Sequence, residues 1–261
     1  MIPKVIHYCW FGKSKKPKLV KDCILSWKKH LPDYEIIEWN ETNSDLSLPF
    51  VREAYKQKKW AFVADYIRLK VLYENGGVYL DTDMLVLKPL DSLLSDKTFI
   101  GAECLEFINC AILGTVSKNE FIYSCFQQYE NITIAVDFNW GLISIPRILT
   151  AVFRDNYSFK EPFDKIIQEK DIVIYPPNYF YALPYENKYD ASNYKKHIQK
   201  ESFAIHLWIS SWVEHNEFYY LKNGKYRLGF KKILANLLVQ KDSNYQYFRD
   251  VMYAIKQSFS K

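Results

Sequence analysis

Apolar and β-branched residues crowd positions 3–11 (PKVIHYCWF), a run that predicts a first strand ended by Gly12. Pro17 then opens a stretch to Lys29 in which Leu19/Val20, Cys23/Ile24 and Trp27 recur at helical spacing. Pro32-Asp33 marks a turn, and YEIIEW at 34–39 reads as a second strand. This β-α-β order implies a parallel pair joined by a crossover helix. From Trp60 to Glu74 the chain is apolar around most of a helical circumference, so a buried helix is expected there. Asn75-Gly76-Gly77 ends it, because glycine accepts the left-handed conformation of a helix C-cap. VYLDTDMLVL at 78–87 reads as a buried strand closed by Pro89. Further strands are expected at 99–103, 111–115, 171–175 and 203–209, and helices at 119–129, 145–153 and 231–240. Strands alternating with helices predict an α/β protein, with no internal repeat or low-complexity segment.

Composition narrows the class. A chain of 261 residues suits one domain, or one domain with an appendage. With 49% hydrophobic and 25% charged residues it is neither disordered, collagen-like nor a disulfide scaffold. No apolar run reaches the ~18 residues of a membrane span. MIPKVIHYCWFGKSKK lacks the pattern of a secretory signal, so a cytoplasmic protein is expected. Five cysteines, none in a C-x-x-C pair, point to reduced thiols and no structural zinc. The net charge of +5 is unevenly placed: residues 219–261 hold nine Lys/Arg against two Asp/Glu. The expected organisation is therefore a catalytic domain at 1–218 and a basic, aromatic helical extension at 219–261.

The sharpest chemical feature is Asp81-Thr82-Asp83. Two carboxylates two residues apart at the end of a strand point to one side, and hard divalent cations want such oxygen ligands together with substrate phosphates. Alone the D-x-D pattern is weak, and its plain alternative is a solvated turn. The apolar flanks raise its weight, since acids inside an apolar strand are costly without a cation or donors to compensate. The preceding helix carries Asp65 and Arg68 at i, i+3, on one face. They read either as an intrahelical ion pair closing a buried surface or as a face lining a cleft, where Arg68 meets phosphate or the acids and Asp65 accepts from a sugar hydroxyl. The tight Gly76-Gly77 link folds the helix back on the strand, so Asp65, Arg68, Asp81 and Asp83 are expected to line one pocket. Trp10 falls at the end of the first strand, where α/β sheets bind ligands; it is either core or a platform for a nucleobase. In AIHLWISSW, at 204–212, His206 offers imidazole, and Ser210, Ser211 and Trp212 offer donors suited to a diphosphate.

These segments carry a resemblance. IPKVIHYCWFG at the start, A-x-x-A-D-x-x-R-L-x-x-L-Y-x-x-G-G-x-Y-L-D-T-D at 61–83 and H-x-W-x-x-S-W at 206–212 resemble glycosyltransferase family 32, which is related to the fungal outer-chain mannosyltransferases and the glucosyltransferase domain of clostridial toxins. The resemblance implies a glycosyltransferase A-type, Rossmann-like α/β domain with a central mixed, mostly parallel sheet. It also implies a divalent cation, Mn²⁺ or Mg²⁺, and a nucleotide-sugar donor, with retention of anomeric configuration. Carried over by position, Trp10 looks like the residue that stacks on uracil, and Asp65 and Arg68 like contacts to the donor sugar. Asp81 would meet ribose and metal, Asp83 would ligate the metal, and Ser211 and Trp212 would hold the diphosphate. His206 is the candidate third ligand, Asn40 a candidate nucleoside contact, and Glu103 and Asn109 fall on the sugar and acceptor side.

The expected activity is transfer of a hexose from UDP-galactose or UDP-glucose to a glycan or lipid-linked oligosaccharide, in capsule, exopolysaccharide or lipopolysaccharide synthesis. Charge building on the leaving diphosphate makes electrostatic stabilisation the main catalytic term. No free carboxylate pair is left for a double displacement, so front-face attack is expected, with the departing phosphate oxygen as base. The basic tail is either a helix packed on the domain or a segment meeting anionic lipid at the inner face of the plasma membrane; no nucleic-acid motif accompanies its charge. Two rivals remain: a haloacid dehalogenase-like Mg²⁺-dependent phosphatase, and a non-catalytic nucleotide-sugar-binding protein.

Overall fold

The computed structural model describes residues 1–134, 138–208, 217–222, 224–239 and 245–259. The first element, strand β1 (Val5–Cys9), is followed by helix α1 (Lys18–His30) and strand β2 (Glu35–Trp39), and the two strands pair in parallel from Val5↔Glu35 to Cys9↔Trp39. The expected β-α-β unit is therefore present. Helix α1 buries Val20, Cys23 and Trp27 and places Lys28, Lys29 and His30 in its last turn, where cations suit the helix dipole. Helix α2 (Pro49–Lys56), which the apolar pattern did not announce, leads into α3 (Trp60–Asn75).

Helix α3 buries ten of its residues, Asp65 and Arg68 among them. It ends at Gly76 (φ 68°) and Gly77 (φ 104°), and a Cβ on Gly77 would stand 2.7 Å from the Val5 carbonyl. Only glycine lets the chain turn there and enter the sheet directly beside β1. Strand β3 (Gly77–Leu80) follows, and the single strand expected over 78–87 is corrected at this point. The chain leaves the sheet at Asp81, turns through Thr82 and Asp83, and resumes as β4 (Met84–Val86) in a separate two-stranded ribbon. Met84 N donates to Asp81 O at 2.9 Å, closing a β-turn. Charged side chains cannot enter the buried sheet, so the strand breaks where the acids begin.

Strands β5 (Thr98–Ala102) and β6 (Ile108–Thr115) form a hairpin, helices α4 (Glu120–Glu130) and α5 (Ile145–Tyr157) follow, and β7 (Ile167–Glu169) and β8 (Ile172–Tyr175) complete the main sheet. Its order is β2-β1-β3-β6-β5-β8-β7. The pairings set β2, β1, β3, β5 and β8 in one direction and β6 and β7 in the other, so the sheet is mixed, with three parallel and three antiparallel pairings where a mostly parallel sheet was expected. Strand β9 (Ala204–His206), shorter than the expected 203–209, pairs antiparallel with β4, setting His206 opposite Met84. Two apolar cores cover the sheet. One is built around α3, α4 and α5, the other around Trp27, Leu80, Phe99 and Phe180.

The chain divides into two compact units, Met1–Ile209 and Ser210–Lys261. In the second unit lie α6 (Glu217–Lys222), α7 (Tyr226–Val239) and α8 (Tyr245–Ser258). Helix α7 thus starts before the expected 231, and α6 and α8 had not been placed. Its buried apolar core comprises Leu221, Ile233, Val251 and Ala254. Tyr247 donates to Glu217 at 2.9 Å, and Tyr226 shares a 2.7 Å hydrogen bond with Ser258. No helix among the described residues is long and apolar enough to cross a membrane.

Candidate active site

Parallel strands β2, β1 and β3 deliver their carboxyl ends to one edge, where α/β sheets bind ligands. Asn40 and Trp10 leave that edge from β2 and β1, and Asp81 leaves it from β3. Strand β5 ends there too: Gly101 pairs with Asn109, which brings Glu103 and Asn109 to the same edge. The order of the sheet, more than proximity in sequence, assembles these residues.

Asp81 is held from two sides. Arg68 Nη2 lies 3.1 Å from Asp81 Oδ1, and Arg68 Nη1 donates to Asp81 Oδ2 at 3.3 Å. The Tyr79 hydroxyl donates to Asp81 Oδ1 at 3.1 Å, and the Tyr79 ring lies 4.5 Å from the guanidinium carbon. Arg68 also meets Asp65 at 3.1 Å and the Cys110 carbonyl at 3.1 Å. Arg68 thus closes the buried intrahelical pair and also reaches across to the first acid of the D-x-D turn. Burial pushes the Asp65 carboxyl up, Arg68 pulls it back, and Asp81 adds to the rise. Burial works against the Arg68 charge, but Asp81 and its other neighbours outweigh it and hold the guanidinium protonated.

Asp83 faces a different partner. His206 Nε2 stands 3.0 Å from Asp83 Oδ1, and Leu207 N donates to the Asp83 carbonyl at 3.0 Å. The β4–β9 pairing fixes this meeting across more than a hundred residues of chain. Helix α1 braces the turn from beneath: Trp27 Nε1 donates to Met84 O at 2.7 Å, and Val86 N donates to Ser26 Oγ at 3.0 Å. The His206 ring packs 4.0 Å from that of Trp208, whose backbone sits at φ 52°. A non-glycine residue held there carries strain, a feature that gathers at functional sites. Burial opposes protonation of His206, yet Asp83, Asp81 and Glu103 together raise its pKa.

One ligand atom each from Asp81, Asp83 and His206 lies within 4.8 Å of the others. Two carboxylates and an imidazole offer oxygen and nitrogen donors of the kind that divalent cations take. The residues fit a divalent cation. Asn109 donates to Glu103 at 2.6 Å, and Tyr181 donates to the Asn109 carbonyl at 2.9 Å. Burial raises the Glu103 carboxyl, and Asn109 moderates the rise.

Two expected contacts look different in place. Trp10 is half-buried and donates from Nε1 to Ser14 O at 2.8 Å. Asn40 turns its carbonyl oxygen to Thr42 N and Oγ1, at 2.9 and 2.7 Å, and so caps its own turn. Ser211 and Trp212, expected to hold a diphosphate, lie outside the described residues. Tyr79 and Trp208 were not assigned from sequence. Tyr79 had a signal, since in a strand it shares a face with Asp81 two residues on. The strain at Trp208 had none. Burial pushes the Cys9 and Cys110 thiols beside Arg68 up to about 12, so neither is poised as a nucleophile.

Residues 17–100 match the family described as a glycosyltransferase sugar-binding region containing a DXD motif. Lactosylceramide 4-alpha-galactosyltransferase of Mus musculus is 28% identical over 165 residues, 60% of this chain and 43% of that protein. Inositol phosphoceramide mannosyltransferase 1 of Schizosaccharomyces pombe is 30% identical over 135 residues, 47% of this chain and 41% of that protein. The chain thus spans about two-fifths of the length of these relatives. Among solved structures, "PaToxG Glycosyltransferase" is 17% identical, with 60% of this chain and 70% of that one covered, at a TM-score of 0.47. The mixed α/β sheet and the matched region agree with the glycosyltransferase A-type domain that the motifs imply.

Proposed function

We propose that this chain, a member of the DXD-motif glycosyltransferases, moves a hexose from a nucleoside-diphosphate sugar to a glycan or lipid-linked acceptor with retention of configuration. The observation that carries the reading is the convergence of Asp81, Asp83 and His206 at the sheet edge from which Trp10 emerges. In this reading Asp81, Asp83 and His206 hold Mn²⁺ or Mg²⁺, which supplies Lewis-acid stabilisation of the departing diphosphate. Arg68 and Tyr79 fix the Asp81 carboxylate in place, so its position does not depend on the ligand. Trp10 stacks on the base, Asn40 meets the nucleoside, and Asp65 and Arg68 face the donor sugar. Ser211 and Trp212 are the diphosphate donors in this proposal, and Glu103 with Asn109 shapes the acceptor side.

The donor we favour is UDP-galactose or UDP-glucose. The named relatives move galactose and mannose onto ceramide-based lipids, and a lipid-linked acceptor fits the second unit. Phe230, Leu234 and Leu237 are exposed at i, i+4 and i+7 on α7, and Phe248, Met252 and Phe259 are exposed on and just beyond α8. Arg227, Lys231 and Arg249 are exposed on the same two helices. Exposed apolar stripes beside cations fit an anionic lipid surface. We accordingly place the enzyme on the cytoplasmic face of the plasma membrane, in assembly of capsule, exopolysaccharide or lipopolysaccharide.

The test is release of free sugar from a panel of nucleotide sugars with and without Mn²⁺. Metal-dependent release by the wild type, lost in Asp83→Asn, is the expected result. Release that ignores both the metal and the substitution defeats the reading.

A further inference from the structure

One buried titratable group, His7, has no part in the account above. It sits at the middle of β1, between Ile37 of β2 and Tyr79 of β3 in the register of the sheet, and is 1% exposed. Both ring nitrogens are engaged. The Trp39 indole donates from Nε1 to His7 Nδ1 at 3.0 Å, and His7 Nε2 lies 2.9 Å from the Gly76 carbonyl oxygen. An indole N–H only donates and a carbonyl only accepts. Nδ1 is therefore bare, Nε2 carries the hydrogen, and the ring is neutral.

The two partners belong to different parts of the candidate site. Trp39 is the last residue of β2; its carbonyl accepts from Trp10 N at 2.9 Å, and Asn40 follows it. Gly76 opens the glycine turn that feeds β3 and, beyond it, Asp81. The imidazole thus joins the end of the strand that leads to Asn40 to the turn that leads to the acids. The ring fills the space beside that turn, since a Cβ on Gly77 would stand 2.9 Å from Nε2.

A further proton would have to enter at Nδ1. It would set two N–H groups against each other across 3.0 Å, so an imidazolium cannot keep the Trp39 bond, while it can keep the bond to Gly76. Among the described residues around the ring, Glu35 on β2 favours the proton through space. Tyr79 on β3 gives its hydroxyl to Asp81, the turn holds only glycines, and Asn75 at the end of α3 turns its amide to Val71 O at 2.9 Å. Burial outweighs the Gly76 and Glu35 contributions and holds His7 below the ordinary histidine value of 6.5. The stability this neutral ring adds is complete above 6.5 and fades as the pH falls through the folded value.

We propose that His7 is a positioning residue with an acid release: neutral, it ties Trp39 to the glycine turn, and on taking a proton it lets Trp39 go and slackens the nucleotide end of the site. The effect on the nucleotide rests on the transferase reading, in which Trp10 and Asn40 meet the nucleoside; the release of Trp39 does not. One lost hydrogen bond corresponds to about 2- to 10-fold in affinity.

The experiment follows the isotope-labelled full chain by NMR from about pH 8 to about pH 5, the range in which histidine titrates. The Trp39 indole N–H signal, identified by its loss in Trp39→Phe, should move toward that of a free indole with the midpoint of the His7 ring nitrogens, below 6.5. In Trp39→Phe the His7 midpoint should rise, because Nδ1 no longer faces a donor. His7→Asn offers Trp39 an acceptor that does not titrate, and its indole signal should stay in place. Calorimetric titration with UDP in Mn²⁺ should show affinity falling about 2- to 10-fold further in acid for the wild type than for His7→Asn. Where His7→Asn does not fold, Trp39→Phe supplies the comparison: its UDP affinity should already be lowered at neutral pH, and an unlowered affinity overturns the positioning role. An indole signal that ignores pH, or that moves with a midpoint other than that of His7, overturns the release. Equal pH dependence of UDP binding in wild type and His7→Asn overturns the positioning role while the transferase reading stands. If UDP binds at no pH, the transferase reading falls and the positioning role with it, and the indole titration still decides the release.

Discussion

The two units of this chain treat charge and hydrocarbon in opposite ways. In the first 209 residues the interior holds Asp65, Arg68 and His206, all buried, and apolar surface is sparse. In the last 52 the interior is a small apolar cluster, while large apolar side chains stand outside. Among the described residues the longer unit exposes eight large hydrophobic side chains and the shorter one also exposes eight. Buried charge is costly unless partners or a ligand compensate, and exposed hydrocarbon is costly unless something covers it. In the first unit the buried acids are answered by Arg68 and His206, and in the second the exposed apolar side chains stand on helices that also expose Arg227, Lys231 and Arg249.

The largest test of this contrast is Arg68→Met. It leaves Asp65 buried without its partner and frees Asp81, so it should cost about 3–5 kcal/mol in chemical denaturation and abolish sugar release. A melt unchanged by that substitution would mean the buried charges are not coupled as described. Next, Asp83→Asn should keep the fold and lower metal-dependent release by about 10²–10³, read by initial rates at saturating Mn²⁺. In the second unit, reversing Lys231 and Arg249 to Glu should weaken flotation with anionic vesicles by about 1 kcal/mol per cation removed, or more with the added repulsion. Flotation that ignores the reversal, or that persists on neutral vesicles at high salt, would break the comparison on that side. The smallest effect is expected for Leu234→Ser. At 61% exposure its loss should move stability by no more than about 0.5 kcal/mol, where Leu80→Ala, fully buried in β3, should cost about 2–5 kcal/mol.

Much of the first unit was legible before any coordinates. The helix at 60–75 declared itself because it is apolar all round, and a helix buried on every side has no polar stripe to blur its limits. The Asp65/Arg68 pair was visible at i, i+3 within it. The strand that carries Asp81 was readable, but its end was not. VYLDTDMLVL has the composition of one strand, and only the change of sheet after Asp81 shows two. Helix α2 escaped because it is only eight residues long, although its buried Phe50, Val51 and Ala54 fall at helical spacing. The meeting of His206 with Asp83 depends on the pairing of β4 with β9, and no spacing in the sequence encodes it. The placing of Glu38 beside Tyr8 and of Lys16 across Trp10 follows from the parallel register and the course of the loop, which no spacing in the sequence encodes.

By itself the sequence determined the α/β class, the buried helix that bears Asp65 and Arg68, the glycine turn behind it and the acids that follow. All of these arise from local periodicity and from the backbone freedom of single residues. Tertiary structure decided which acid is bound to which partner: Asp81 goes to Arg68 and Tyr79, and Asp83 to His206. Those choices depend on strand order and on pairings between distant segments, which stem from the packing of the whole domain and leave no periodic trace along the chain.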